Sequence, residues 1–329
     1  MPPLKTTAPS VPFLRLRRTL RADSAGPPPS VLAGSNDALL VVRGGGRQIE
    51  VQSLQSGAPA SRRLVTGHHA PIVRWGLSRG GGTLASLDSH GFLLLSHVVS
   101  GKTLRRIALP PTEKTAGKAL FTLTLSPDGR YIGIDHPPRR YGITDLHSGK
   151  IVFTPPGTVA ALFSPVGKTL ITGGMWWLRT WTAGSWKPVR RVNVGDASAI
   201  PVGFAPDGKT FFTVTQWFKA QQSAVQQRRV DSLTEQARFS ETGGDITFGT
   251  VSDAALSPEG RWLAVGIGGF ADGSVPTLAL WDTHTRQAVP LPRVTSPTSA
   301  VRFSPDGRFL VSVHRDATRL WEVVWSPHS

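Results

Sequence analysis

The sequence predicts an all-β fold built from repeated antiparallel units. A four-residue turn signature, Ser or Ala followed by Pro, an acidic residue and Gly, begins at positions 126, 205, 257 and 304. Each copy separates two short apolar runs that alternate as half-buried strands do. Outside residues 221–227 no window has a convincing helical period, and 35 Gly and 27 Pro suit a chain with many tight turns.

The spacing of these turns predicts the number of units. Weaker copies stand at Ser164, Ser78 and Ser35, which places anchors near 35, 78, 126, 164, 206, 257 and 304. Their mean spacing is about 45 residues, the period of a four-stranded propeller blade. We therefore expect one seven-bladed β-propeller of four-stranded antiparallel blades over residues 11–325, preceded by a flexible tail at residues 1–10.

The last unit shows how the turn organises its strands. Residues 300–303 predict a first strand, and in the turn that follows Pro presets φ and Gly closes the loop. A second strand is expected at 308–313, a loop at 314–316 and a third strand at 317–323. Two other units follow the same plan, with strands expected at 121–125, 131–134, 141–146 and 151–153, and at 255–256, 262–267 and 278–282.

The last unit resembles a repeat of the WD40 family. Its turn leads to the run Arg319-Leu320-Trp321-Glu322, and the unit before it ends in Trp281-Asp282, the dipeptide characteristic of the family. Gly67-His68 is similar to the Gly-His pair with which the family's repeats begin. The resemblance covers about residues 30–325, and it implies a rigid disc whose loops hold another protein.

In that family a His, an Asp, a Ser and a Trp brace a blade through hydrogen bonds. The resemblance implies such a role for His68, Trp181, Trp281 and Trp321, whereas most units lack a full Trp-Asp pair. We therefore expect apolar packing between blades to contribute most of the stability.

A propeller has to close its ring without leaving strand edges open. The last repeat supplies only three strands, while residues 11–18 form an isolated strand-like segment. As in WD40 proteins, we predict that residues 11–18 form the outer strand of the final blade. Pro12 is compatible with this position because an outer strand leaves one edge unpaired.

Composition limits the classes of partner and site. The formal net charge of +16 favours acidic partners, although a GC-rich genome also raises the arginine content. The absence of cysteine excludes disulfides and thiolate metal sites. No apolar leader and no run of about 18 apolar residues is present, so we expect a cytoplasmic protein without membrane contact.

No motif predicts catalysis. The nine histidines lack metal-ligand spacing, and the glycine triplets at 44–46 and 80–82 lack the Lys-Ser/Thr of a phosphate loop. There is no Gly-x-Ser-x-Gly elbow, and nothing singles out a pair of carboxylates. We predict that the protein is not an enzyme and uses no cofactor or metal.

The loops opposite the repeated turns carry arginines and aromatic residues, which are enriched at interface hot spots. Trp217 and Phe218 lie in residues 216–228, which we expect to form a long loop. The alternative is that the arginines only solvate loops while the tryptophans pack into the blades. The predicted partner-binding residues are Arg43, Arg47, Arg139, Arg140, Trp176, Trp217, Phe218, Lys219, Arg228, Arg229, Phe270 and Arg315.

These observations predict a non-catalytic scaffold that binds an acidic protein or peptide on its basic and aromatic face. We expect a monomeric propeller within a larger assembly. Nucleic-acid binding is the first alternative, because aromatic and basic side chains together stack bases and contact phosphates. An enzyme with a site in the central channel is the second alternative.

Overall fold

The computed structural model describes residues 12–21, 30–33, 39–45, 47–53, 62–65, 67–77, 82–98, 100–109, 124–136, 140–220, 222–239, 250–268, 277–304 and 306–325. All regular structure in these ranges is antiparallel β-sheet, which confirms the predicted all-β class. Within them there is also no helix with the length and apolar character needed to cross a bilayer.

The first three sheets have four strands each and follow the chain in order. The first contains β2 (Ser30–Ala33), β3 (Leu39–Gly45), β4 (Gln48–Ser53) and β5 (Arg62–Val65). The second contains β6 (Ile72–Leu77), β7 (Thr83–Asp88), β8 (Phe92–His97) and β9 (Thr103–Ala108). The third contains β10 (Thr124–Leu125), β11 (Tyr131–His136), β12 (Arg140–Asp145) and β13 (Lys150–Phe153).

The remaining strands form one wide sheet and two sheets of four strands. The wide sheet contains β14 (Ala160–Phe163), β15 (Thr169–Gly173), β16 (Met175–Thr182), β17 (Pro188–Phe204), β18 (Thr210–Trp217), β19 (Gln222–Arg229) and β20 (Glu235–Phe239). The next contains β21 (Thr250–Leu256), β22 (Trp262–Gly268), β23 (Leu278–Asp282) and β24 (Ala288–Val289). The last contains β25 (Thr298–Phe303), β26 (Phe309–His314), β27 (Ala317–Trp325) and β1 (Pro12–Arg21).

Strand β17 belongs to two groups of strands. Its first half pairs with β16, with Asn193 opposite Trp177, and its second half pairs with β18, with Ala197 opposite Trp217. Gly195, between the two halves, has a left-handed φ of +78°. With β17 counted in both groups, the described strands form seven units of four, which we number one to seven along the chain; β1 completes unit seven.

The N-terminal strand pairs with the last strand of the chain, as predicted. The pairing runs from Pro12 opposite Trp325 to Arg21 opposite Ala317, so the strand extends beyond the expected residue 18. Leu14 is 3% exposed and lies in a core shared with Trp321. Burial of this side chain stabilises the pairing by roughly 2 kcal/mol.

The repeated turns owe their shape to the backbone. The glycines at 129, 167, 208, 260 and 307 have φ between +66° and +82°, which side chains disfavour. In four of these turns the first residue is Ser, and its Oγ accepts the amide five residues later, as in Ser257 to Trp262 at 2.9 Å. Position 205 has Ala and lacks this bond.

Successive turns lie side by side in chain order. A Cβ placed on Gly208 would lie 3.7 Å from Pro165 of the preceding turn, and one on Gly307 would lie 3.6 Å from Pro258. The first strands of successive units, from β6 to β25, also contact one another in order, and β25 contacts β2. Neighbouring units therefore touch along their first strands.

Apolar cores lie between neighbouring units. One core joins Trp262 and Leu280 of unit six to Leu310 and Trp321 of unit seven. Another joins Tyr131, Tyr141 and Ile143 of unit three to Phe163 and Trp181 of unit four. These shared cores fix the positions of the strand ends, where the connections carry the candidate sites.

Candidate functional site

The two ends of the sheets differ in character. The turn end carries the Ser-Pro-Asp-Gly turns and the connections from the third to the fourth strand of each unit. The loop end carries the connections from the second to the third strand and those between units. The predicted binding face is the loop end, so a predicted binding residue should lie there and not at the turn end.

Three exposed apolar side chains stand at the loop end where units four and five meet. Met175 is 46% exposed, Trp176 48% and Phe218 43%. Phe218 directly follows β18, and its amide donates to the carbonyl of Asp196 in β17 at 3.1 Å. We call Met175, Trp176, Asp196, Phe218 and Lys219 the junction patch.

An irregularity in the pairing of β16 with β17, where the extra residues lie in β17, leaves Trp176 outside the regular register. Met175 pairs with Ser198 and Trp177 pairs with Asn193, so Trp176 lies at an irregularity of the ladder. Its φ is +67°, in the left-handed region that residues other than Gly rarely adopt. The sequence thus holds a large apolar side chain exposed in an unfavourable backbone conformation.

Two glycines hold this part of the backbone in place. A Cβ on Gly173 would lie 2.1 Å from the carbonyl oxygen of Ala199, and one on Gly174 would lie 2.2 Å from that of Gly157. The amide of Ala199 donates to the Gly174 carbonyl at 3.1 Å. Sequence reasoning missed this role, although a Gly-Gly pair directly after a strand is a signal of close backbone approach.

The neighbouring tryptophans are covered by arginines. The Arg191 guanidinium lies 3.3 Å from the centre of the Trp177 ring, and that of Arg238 lies 4.7 Å from the Trp217 ring. Burial, and then the charge of Arg191, lower the pKa of Arg179 in the same sheet. Trp217 is therefore partly covered, whereas Trp176 and Phe218 are the exposed aromatic members of the patch.

The prediction that residues 216–228 form a long loop is wrong. Only residues 218–221 connect the strands, and Gln222–Arg229 forms β19. The polar composition of this segment is misleading because its polar side chains are buried together. Gln226 accepts from Thr215 Oγ1 at 2.7 Å and from Arg228 Nη2 at 2.6 Å.

Arg228 and Arg229 do not belong to the binding face. Both lie at the turn end of β19, and Arg228 is 7% exposed, with Nη1 donating to the Leu233 carbonyl at 2.9 Å. Burial lowers the pKa of Arg228. Arg229 binds Asp231 and holds the pKa of that carboxyl well below its usual range.

The other predicted residues are dispersed. Arg47 and Arg315 are exposed in short loop-end connections, in units one and seven respectively. Arg43 lies in β3 opposite Glu50, and Arg140 begins β12, so both are strand residues rather than loop residues. Arg139 and Phe270 lie outside the described residues. Of the predicted residues, the structure therefore places only Trp176, Phe218 and Lys219 exposed at the junction of units four and five, with Trp217 ending β18 directly before Phe218.

Two histidines brace their units by hydrogen bonds. His68 contacts Asp88 Oδ2 at 3.0 Å and Ser86 Oγ at 2.8 Å, which agrees with its implied bracing role. His314 was placed in a loop by the sequence, but it ends β26 and is 1% exposed. Its ring lies 2.6 Å from Ser312 Oγ, and burial lowers its pKa to about 4.

Trp321 and Trp181 take part in similar bonds. Trp321 Nε1 donates to Ser312 Oγ at 2.8 Å, and Trp181 Nε1 donates to Thr172 Oγ1 at 2.9 Å. These polar groups are therefore engaged in holding strands together. Among the described residues, no three His, Asp or Glu side chains are arranged to bind a metal ion.

The arrangement at the junction patch is suited to binding and offers no obvious chemistry. The exposed rings of Trp176 and Phe218 stand on either side of β17, with Lys219 next to Phe218, and none of the patch residues is a nucleophile paired to a base. Comparison with known proteins adds no further assignment: no protein-family model matches the chain, and no curated protein is significantly similar to it.

Proposed function

We propose that the seven units are the blades of a single WD40-like β-propeller. The side-by-side order of the repeated turns supports this, because successive turns around a ring touch their neighbours. The contact between β2 and β25 supports ring closure, and the pairing of β1 with β27 supplies the fourth strand of the last blade. The bonds around His68 and Trp321 agree with the bracing that the family uses.

The function that fits this surface best is a non-catalytic scaffold that binds a protein or peptide at the junction patch. One observation carries the proposal, namely the exposed Trp176 in a left-handed backbone conformation. Such a conformation costs about 1 kcal/mol and clusters at binding sites, where surrounding structure maintains it. Trp is also among the residue types most enriched at interface hot spots.

The chemistry of the patch favours a partner segment that carries both an apolar side chain and carboxylates. Trp176 and Phe218 offer apolar surface for the former. Lys219 is exposed next to Phe218, and Arg191 lies over Trp177 nearby, whereas Asp196 is the acidic member of the patch. We place the protein in the cytoplasm, as a monomeric propeller within a larger assembly.

The test is affinity purification from the native host with tagged wild-type protein and a Trp176→Gly variant. We expect the variant to lose at least tenfold in partner recovered, because it lacks the anchor while glycine accepts the backbone conformation. Val189→Gly is a matched control, because Val189 is 63% exposed but lies in the first half of β17, away from the patch. Equal recovery with Trp176→Gly and wild type would refute the proposal.

Nucleic-acid binding is the second candidate, and one observation favours it. Exposed arginine pairs lie on the outer strands of two units, Arg105-Arg106 in β9 and Arg190-Arg191 in β17. Charged residues also protect such edge strands from pairing with other chains, which weakens the argument. A filter-binding titration decides, since use of several phosphates predicts a steep loss of affinity with salt.

A further inference from the structure

A polar concavity lies at the turn end between units two and three. It encloses about 440 Å³ and is lined by Arg105, Gly129, Arg130, Leu146 and His147. Arg105 comes from the outer strand β9 of unit two, and the other four residues come from two turns of unit three. The site is thus built by two units and lies at the end of the sheets opposite to the junction patch.

The next groove along the chain, between units three and four, shows why this one is open. Gly149 and Trp186 occupy the same place in their turns, since both have left-handed φ and each amide donates to the carbonyl four residues earlier at 2.8 Å. Trp186 stacks on Phe153, with ring centres 5.4 Å apart, and meets the edge of Tyr131 at 5.0 Å. Glycine at position 149 provides no such side chain.

The same comparison explains why the concavity is basic. Phe153 follows Gly149 by four residues, and Arg105 follows the equivalent Gly101 by four, so a guanidinium stands where the next groove has a stacked ring. The two grooves have the same backbone plan but different chemistry: one is filled by aromatic side chains, and the other is left open with two guanidinium groups in its lining.

Both arginines are held in place by bonds at their edge. Arg105 Nη2 donates to the His147 carbonyl at 2.7 Å, and Arg130 Nε donates to Asp145 Oδ2 at 3.1 Å. Each bond uses one of the five donors of a guanidinium. Held arginines lose less conformational freedom when they bind an anion, which favours affinity.

Two carboxylates, those of Asp128 and Asp145, act on Arg130, whereas Arg105 donates to a backbone carbonyl. Asp145 Oδ1 accepts the amides of Ser148 and His147, and these bonds together with Arg130 lower the pKa of Asp145. Asp128, whose pKa is also lowered, and Asp145 therefore both stay ionised and offset the charge of Arg130, and the guanidinium of Arg105 is the group that an anion meets at the rim. Guanidinium groups bind phosphate oxygens through parallel hydrogen bonds, which a lysine does not reproduce.

We infer that this concavity binds a phosphate monoester group. Its volume exceeds that of one phosphate, so it also has room for the first atoms of the carrier. The group is supplied either by a free phosphorylated metabolite or by a phosphorylated side chain of a partner protein. This inference goes beyond the proposed scaffold function and does not depend on Trp176.

The test is isothermal titration calorimetry of the full chain at low ionic strength with three probes: inorganic phosphate, O-phosphoserine and a phosphoserine peptide. We expect saturable binding of one equivalent. Tighter binding of the peptide than of O-phosphoserine identifies a protein source, and equal binding of these two identifies a small phosphorylated molecule. Absence of saturable binding for all three probes would overturn the inference.

Two substitutions at equivalent positions separate a site from general charge. Arg105→Phe copies the residue of the next groove, and we expect it to weaken binding at least tenfold. Arg190→Phe removes the same charge from the equivalent position between units four and five. The groove there contains the fully buried Leu233, so this substitution should leave phosphate binding unchanged. Equal weakening by both would mean diffuse attraction and refute the site. If Arg105→Phe fails to fold, Arg105→Gln replaces it with the same expected loss.

Discussion

Two tryptophans near the opposite ends of β16 have left-handed backbones for different reasons. Trp186, at the turn end, has φ +55° in a connection whose equivalents in other units also have left-handed residues. Its ring packs on Phe153 and Tyr131. Trp176, at the loop end, has φ +67°, belongs to no repeated turn and is 48% exposed.

The contrast shows two kinds of backbone strain. Folding explains the left-handed conformation of Trp186, but folding alone does not explain that of Trp176. At the turn end a repeated backbone pattern imposes the conformation, and burial of the ring more than offsets its cost of about 1 kcal/mol. At the loop end Trp176 has a backbone conformation of the same cost, but its ring is not buried to a comparable extent. Departures from the repeat are therefore the better guide to function in this molecule.

Among the substitutions, the largest expected change in stability is that of Trp186→Gly, with Trp176→Gly as its comparison. We expect Trp186→Gly to lower the free energy of unfolding by about 2 kcal/mol, because lost packing outweighs relief of the backbone. Trp176→Gly should leave that free energy unchanged or raise it by up to about 1 kcal/mol. Urea unfolding measures both. A loss of stability for Trp176→Gly as large as for Trp186→Gly would show that the two ends do not differ in this way.

A second prediction concerns a part of the loop end that serves stability, the buried His314. Its pKa of about 4 in the folded protein lies below the ordinary 6.5, so the unfolded chain binds more protons between these values. Stability should be complete above pH 6.5 and fall by about 3 kcal/mol as the pH drops through 4. The main cause of the lowered pKa of His314 is burial. The charge of Arg319 also opposes protonation of the ring, whereas the charge of Asp316 favours it.

Urea midpoints at pH 7 and pH 4.5 check this prediction. His314→Gln serves as the control, because it cannot titrate and should lose less stability between these values. An identical pH dependence in the two proteins would assign the acid sensitivity to other groups.

The smallest effects are expected at the repeated turns. Ser257→Ala removes the bond from Trp262 N to Ser257 Oγ and should cost about 1 kcal/mol. Ala205→Ser installs the missing hydroxyl in a turn with the same backbone bonds, and should gain about 0.5 kcal/mol. Thermal unfolding of both variants tests whether the turns are interchangeable, and a loss of stability in Ala205→Ser would show that they are not.

The fold was predictable where local chemistry determines it. Pro and Gly in the turns and alternating apolar residues locate strands such as Leu278–Asp282 to the residue. Strand β19 was not predictable in the same way, because Gln226 and Arg228 are buried by hydrogen bonds with Thr215 and Leu233 rather than by apolar character. Buried polar networks depend on partners that sequence patterns do not identify.

The candidate site was predictable only in part. Phe218 and Lys219 follow from their place between the second and third strands, which the repeat locates, whereas Trp176 was expected in such a loop and lies near the start of the third strand. The cover of Trp217 by Arg238 and the displacement of Arg229 to the turn end depend on tertiary contacts and on the true extent of β19. The basic concavity at Arg105 emerges only when equivalent positions of two units are compared in three dimensions.

The pairing of β1 with β27 affects the order in which the protein can fold during its synthesis. Its ion pair between Arg17 and Glu322 joins residues 305 apart in the chain. At synthesis rates of roughly 5–20 residues per second, β1 leaves the ribosome about 15–60 seconds before its partner exists. Throughout that interval the strands of the other units can pair, whereas β1 has no partner until β27 has been made.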